Sequence, residues 1–265
     1  MNKHKIKNFL ILFIFLNVIC SFNYAQKQEF RKIENKAFKL GEKLSFNINY
    51  GFITAGVAEY NIPKIVKLAG RDVYQITFNV NTVSTFDALY KVRDRYETYM
   101  DVEGLFPWRF EQHIREGGYS RDFSAFFDQR KGKAKTSEGT YDIPKYVNDI
   151  VSAFYFARTF DYSKMKTGEK VHLENFYKDK TYDLDVYYRG RETVNVKAGT
   201  FDCLILEPEI LEGGLFKNTG NVVIWLTNDE LHVPIKVKSK IIIGSIDAEL
   251  TAYSGLAGEL KAKKK

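Results

Sequence analysis

The sequence predicts a mainly β protein, an antiparallel sheet arranged as a barrel or a sandwich, with one central helix at 148–160. Three observations carry this. Phe and Tyr are abundant, at 21 and 17 of 265 residues, while Pro is scarce at 5, a composition that suits half-buried strands better than helices. Apolar and polar residues alternate with a period of two through much of the chain, which gives each such stretch one dry face. Glycine-containing turn signals separate these stretches at short intervals.

Residues 1–25 read as a signal peptide. Lys3, Lys5 and Lys7 form a basic head, 9–19 is almost wholly apolar, and Tyr24-Ala25-Gln26 offers a small residue for cleavage. The apolar run is shorter than the roughly 20 residues a helix needs to cross a bilayer, and no later stretch is apolar enough to span. No transmembrane segment is therefore expected after cleavage. Cys20 stands where a bacterial lipoprotein carries its lipidated cysteine, but Ile19 is larger than that processing favours, so Cys20 is read as part of the leader. Cys203 is then the one cysteine of the mature chain. No internal disulfide can form, and about 240 residues can bury enough surface to need none. Cys203 reads as a small buried hydrophobe beside Phe201 and Ile205.

The strands follow in order. Leu44, Phe46, Ile48 and Tyr50 alternate with polar residues, as do Tyr74, Ile76, Phe78 and Val80; Tyr182, Leu184 and Val186; and Ile246, Ala248 and Leu250. Further strands are expected at 57–62, 89–100, 107–115, 119–128, 170–177, 192–197, 201–207, 222–227 and 235–243, with turns at 69–71, 116–118, 189–191, 198–200 and 212–214. The helix breaks the pattern: Ile150, Val151, Phe154, Tyr155 and Ala157 recur at helical spacings behind a cap at Asn148 or Asp149. No linker or repeat divides the chain, so 26–260 is read as one domain followed by a basic tail, 261–265. A two-lobed arrangement hinged at the helix is the alternative.

Charge excludes one class of partner. Without the three leader lysines the balance is 37 basic to 33 acidic residues, and Lys261, Lys263, Lys264 and Lys265 account for the excess. The body is near neutral, so no nucleic-acid surface is expected. The tail reads as a frayed, solvated end with at most a weak attraction to anionic headgroups.

Catalytic and metal signatures are missing. There is no P-loop, no G-x-S-x-G elbow and no H-E-x-x-H, and His113, His172 and His232 are dispersed. His172 and Glu174 share a strand face but are too few to hold a metal, and Asp183 and Asp185 read as the wet face of a half-buried strand. No catalytic residue, metal or cofactor is expected. Asp94 is more suggestive. In a strand it joins Val92 and Tyr96 on the drier face, where a carboxylate needs a partner, so it either forms an internal bridge to an arginine or lines a pocket with Tyr96. Arg93, Arg95 and Glu97 on the other face read as a solvated ladder. Trp225 and Asp229 could present an aromatic beside a carboxylate at a ligand rim, although a buried core tryptophan is the simpler role. Asp94, Tyr96, Trp225 and Asp229 are the candidate ligand-binding residues.

Read in order, the segments Tyr50-Gly51-Phe52-Ile53-Thr54-Ala55-Gly56, Val92-Arg93-Asp94, Leu105-Phe106-Pro107, Asp149-Ile150-Val151-Ser152-Ala153, Gly199-Thr200-Phe201-Asp202-Cys203, Ile224-Trp225-Leu226-Thr227-Asn228-Asp229 and Val233-Pro234 resemble the DUF3108 family of exported bacterial proteins. The resemblance implies an envelope location and a β-rich fold, and carries no catalytic residues with it. Of the residues themselves, Gly51 and Gly56 read as bracketing a tight hairpin, and Pro107 and Pro234 as strand starts or edges.

Three functions are left open. The first is a non-catalytic binding module for a lipid or other amphiphile, in the periplasm or at the outer membrane of a Gram-negative bacterium, because a curved aromatic-rich sheet with a helix across it can enclose an apolar space. The second is an envelope assembly protein that holds a protein partner through exposed strand edges. The third, a hydrolase of envelope polymers, lacks a nameable nucleophile and base.

Overall fold

The computed structural model describes residues 29–210, 222–240 and 244–264. The expected leader, the turn at 212–214, the strand end at 241–243 and Lys265 lie outside the described residues. Internal contacts divide the chain into Met1–Arg31 and Lys32–Lys265. All the elements below belong to the second unit.

Alternation produces the strands it predicts, and more. They are β1 (Lys43–Tyr50), β2 (Ile53–Leu68), β3 (Arg71–Thr82), β4 (Arg93–Asp101), β5 (Pro107–Glu116), β6 (Tyr119–Asp128), β7 (Lys133–Thr136), β8 (Thr140–Asp142), β9 (Lys170–Tyr177), β10 (Lys180–Val196), β11 (Gly199–Ile210), β12 (Val222–Thr227), β13 (Pro234–Lys240) and β14 (Ser245–Ser254). The helices are α1 (Ser84–Asp87) and α2 (Ile150–Ala157). The strands form one antiparallel sheet in the order β8-β7-β6-β5-β4-β3-β2-β1-β14-β13-β12-β11-β10-β9. Strands before and after α2 share this sheet through the β1–β14 ladder.

The sheet curls until its edges approach. Residues 143–149 run between them: the Asn148 amide donates to the Glu174 carbonyl at 2.9 Å, and the Phe176 amide donates to the Asn148 carbonyl at 2.7 Å. The Thr136 hydroxyl at the end of β7 donates to Asp179 beyond β9 at 2.8 Å, and the Phe127 ring meets Phe176 edge-on at 5.7 Å. With every ladder antiparallel, the turns gather at two ends. Tips β1–β2, β3–β4, β5–β6 and β9–β10 form a rim, while β2–β3, β4–β5, β10–β11 and β12–β13 turn at the base.

Several expectations shift. The strand expected at 89–100 begins at Arg93, because 84–87 forms α1 and the chain turns before pairing. Pro107 and Pro234 do begin strands. Gly51, with φ of 60°, turns the β1–β2 hairpin, but Gly56 lies inside β2, where a Cβ would come 2.7 Å from the Asn81 carbonyl oxygen of β3. Close backbone approach, and not a turn, is its requirement. The tail is not frayed over its described part. Leu256 and Leu260 pack on a cluster containing Leu44, Phe201 and Val233, and this anchor lets the backbone that follows pair with β11. Asp202 N donates to Ala262 O at 2.9 Å and Lys264 N to Thr200 O at 2.8 Å.

Candidate functional site

Alternate residues of the strands point inward, and α2 crosses the space they enclose. Asp149 starts the helix: one carboxylate oxygen accepts the Val151 and Ser152 amides at 2.8 and 2.9 Å, and the Ser152 hydroxyl accepts the Asp149 amide at 2.9 Å. This closes a capping box. The other Asp149 oxygen accepts the Thr98 hydroxyl at 2.6 Å, which pins the helix to β4. Burial pushes the Asp149 carboxyl up to about 6, against the pull of these hydrogen bonds.

The far end of α2 is fixed at the base. Arg158 and Glu42 are both fully buried and pair through two contacts, of 2.7 and 2.9 Å. The guanidinium also donates to the Ala37 and Leu231 carbonyls at 2.9 and 3.2 Å, and lies over the Phe38 and Tyr155 rings. Every charge here is matched, as a buried ion pair requires. His232 meets the Arg158 carbonyl at 2.7 Å, and burial lowers its pKa.

Between this base and the rim lies a cavity of about 390 Å³. Phe46, Ile48 and Ala58 line one side, Leu184, Leu206 and Ile224 the other, and Ile150, Phe154 and Ala157 of α2 form the floor. Phe78, Tyr60 and Phe154 stack in series, with ring centroids 4.1 and 5.2 Å apart. Tyr60, Tyr96, Tyr177, Tyr182, Asn175 and Asp183 supply the polar groups of the wall. Tyr177 and Tyr182 of the lining stand at the β9–β10 tip, so the lining reaches the rim, where the Asp183 side chain, 63% exposed, turns to His172 at 3.6 Å.

Of the four sequence candidates, Tyr96 lines this cavity. Burial and the nearby Asp94 carboxylate push its hydroxyl up to about 12, so it is a neutral hydrogen-bonding group at neutral pH. Asp94 is buried, but in place of the expected arginine bridge its Oδ1 accepts the backbone amide of Arg115 at 2.8 Å. The Arg115 guanidinium instead pairs with Asp122 at 2.9 Å. Burial and Asp94 together raise the Glu116 carboxyl next to it.

Trp225 is half-buried and packs against the core cluster that contains Phe201 and Cys203, away from the cavity. Its neighbours Ile224 and Leu226 line the cavity, so alternation turns it to the other face of the strand, where its indole N–H donates to Glu192. Asp229 ties loops together, accepting from the Thr227 hydroxyl at 2.8 Å, the Leu231 amide at 3.1 Å and the Ala262 amide at 2.9 Å.

The other polar features lie away from the cavity lining. His172 faces Asp185 at 2.8 Å, where Lys170 also reaches at 2.5 Å. Among the described residues no group of three or more His, Cys, Asp or Glu could hold a metal. The ladder expected to be solvated holds a buried member: Glu97 is 4% exposed and accepts from Gln75, Tyr99 and Arg95. Cys203 is fully buried, and burial, with the Asp202 charge next in weight, pushes its thiol up to about 12.

Sequence reasoning missed Tyr60, Phe78 and Phe154 as a stack and the Arg158–Glu42 pair. Alternation signalled that Phe78 faces inward, but its meeting with Tyr60 and with a helix across the barrel left no local trace.

A curled antiparallel sheet around a helix, with an apolar space open at one end, defines a β-barrel-like protein. Over residues 45–251 the chain matches DUF3108, described as a protein of unknown function, and it belongs to that family. No curated protein matches. Among solved structures, a β-barrel-like protein of the domain of unknown function DUF1849 from Brucella abortus is similar, with a TM-score of 0.54 and 12% identity over 82% of this chain and 99% of that one. That likeness is one of fold. A candidate lipoprotein from Parabacteroides distasonis aligns more loosely, with a TM-score of 0.35 and 9% identity over 86% of this chain and 100% of the other. So does a candidate exported protein with a YmcC-like fold from Bacteroides fragilis, with a TM-score of 0.33 and 12% identity over 85% and 100%. No helix among the described residues is long and apolar enough to cross a membrane.

Proposed function

We propose that this chain is an exported, non-catalytic binding module of a Gram-negative cell envelope, in the periplasm or at the outer membrane, that holds an apolar or amphiphilic ligand. The observation that carries the reading is the cavity. Its volume of about 390 Å³ falls in the range of small-molecule sites, and its wall is mostly aliphatic and aromatic with a few tyrosine hydroxyls. The Tyr96 hydroxyl stays protonated, and the buried Cys203 thiol is held away from its reactive form, which supports binding without chemistry. The basic head and apolar run of residues 1–25 support export.

The assembly reading draws less support. Strand β8 is only three residues long, and β9 is bridged by Asn148, so neither edge offers a long free template. Native mass spectrometry of protein purified from its own envelope tests the binding reading. A co-purifying amphiphile is expected, together with uptake of a fluorescent fatty acid by stripped protein. A clean unliganded mass with no uptake refutes it.

A further inference from the structure

Among the described residues eleven large apolar side chains stand exposed, and seven of them lie on the rim. Beside Tyr50 they are Phe52 and Ile53 at the β1–β2 tip, Leu89 and Tyr90 before β4, Tyr119 after the β5–β6 turn, and Ile246 at the start of β14. The sheet order sets these four tips side by side. They also touch: a Cβ on Gly117 would lie 2.9 Å from the Tyr90 ring, and one on Gly244 3.4 Å from the Tyr50 ring. Phe52 is 97% exposed and Leu89 80%. Contiguous apolar exposure of this degree marks a contact surface.

Charge selects the partner. Exposed Lys91, Lys178, Lys180 and Lys240 stand at the tips of the same end. Of the carboxylates at this end, Asp87 is held by Arg93 at 2.5 Å, Asp122 by Arg115 at 2.9 Å and Asp247 by Lys236 at 3.2 Å, while burial and Asp94 raise the Glu116 carboxyl and Asp183 stands exposed 3.6 Å from His172. Apolar and aromatic side chains flanked by lysines match the interface of a bilayer carrying anionic headgroups.

We propose that this rim docks on an anionic lipid bilayer, with Phe52 and Leu89 entering the headgroup region and the cavity mouth facing the membrane. Docking stands on the rim alone. That it loads or unloads the cavity rests on the binding-module reading.

The test is co-sedimentation of the whole protein with mixed phosphatidylethanolamine–phosphatidylglycerol vesicles and with phosphatidylcholine vesicles. Binding to the anionic vesicles is expected, weaker to the neutral ones and falling with salt. The Phe52→Glu, Leu89→Glu double variant should lose about tenfold or more of that binding with an unchanged melting temperature, since both side chains are exposed. Failure of the parent to bind anionic vesicles, or undiminished binding by the variant, overturns the proposal. So does a rim-mediated dimer, seen as a parent that sediments as a dimer, a variant that sediments as a monomer, and neither bound to vesicles. Fatty-acid uptake on the same samples separates the two readings: vesicle binding without uptake supports docking and removes the cavity ligand.

Discussion

Arg158 and Glu42 are 116 positions apart, and each is tolerable inside the protein only because of the other. Arg158→Met should cost about 3–5 kcal/mol in urea unfolding, because it leaves the Glu42 carboxylate buried without its partner. Adding Glu42→Leu should recover much of that loss. Asp149 supplies a test by pH. Unfolded, an aspartate releases its proton near pH 4, whereas folded Asp149 holds it to about 6. Between those values the native state binds more protons, so this residue's contribution to stability falls as pH rises. Asp149→Asn keeps an oxygen for the Val151 and Ser152 amides but does not titrate. Relative to the parent it should gain roughly 2 kcal/mol from pH 4 to pH 7, read as the difference between two unfolding curves. Asp149 was visible in the sequence because a cap stands next to the helix it starts. The partner of Arg158 was not, since nothing local distinguishes Glu42 from a surface glutamate.

At the level of elements, glycine was the ambiguous letter. Gly190 reads as a turn between two strands, yet it has φ of 115° and sits at a bulge inside the single long β10. A bulge and a turn ask for the same residue, and only the pairing partner tells them apart. Gly56 was misplaced for a related reason. Gly56→Ala should destabilise by about 1–3 kcal/mol, measured by thermal or urea unfolding, because β2 and β3 must separate to admit the methyl group. Strands β7 and β8 went unread because, at four and three residues, they are too short for a period of two to stand out. The helix expected at 148–160 is regular over Ile150–Ala157, and its floor residues Ile150 and Phe154 belong to the run that announced it.

Taken as a whole, the molecule was legible as an antiparallel β fold with one central helix, but not in its closure. Periodicity says which side chains point inward. It does not say that 143–149 will span the sheet's edges, or that α2 will leave a space of about 390 Å³ unfilled. That space is also the part of the protein most open to redesign. Ile224 is half-buried and lines it, so Ile224→Trp should place extra bulk in the void and weaken fatty-acid uptake by about tenfold or more, at a melting temperature close to the parent's. Equal uptake by the two proteins would move the binding site elsewhere.

The chamber has a helix and a paired arginine at its foot and reaches solvent at the rim. On the binding-module reading proposed above, a blind shaft of this kind imposes a direction on traffic: a long amphiphile would go in tail first and come out head first, so its water-loving end would be the last part swallowed and the first part an acceptor could grasp.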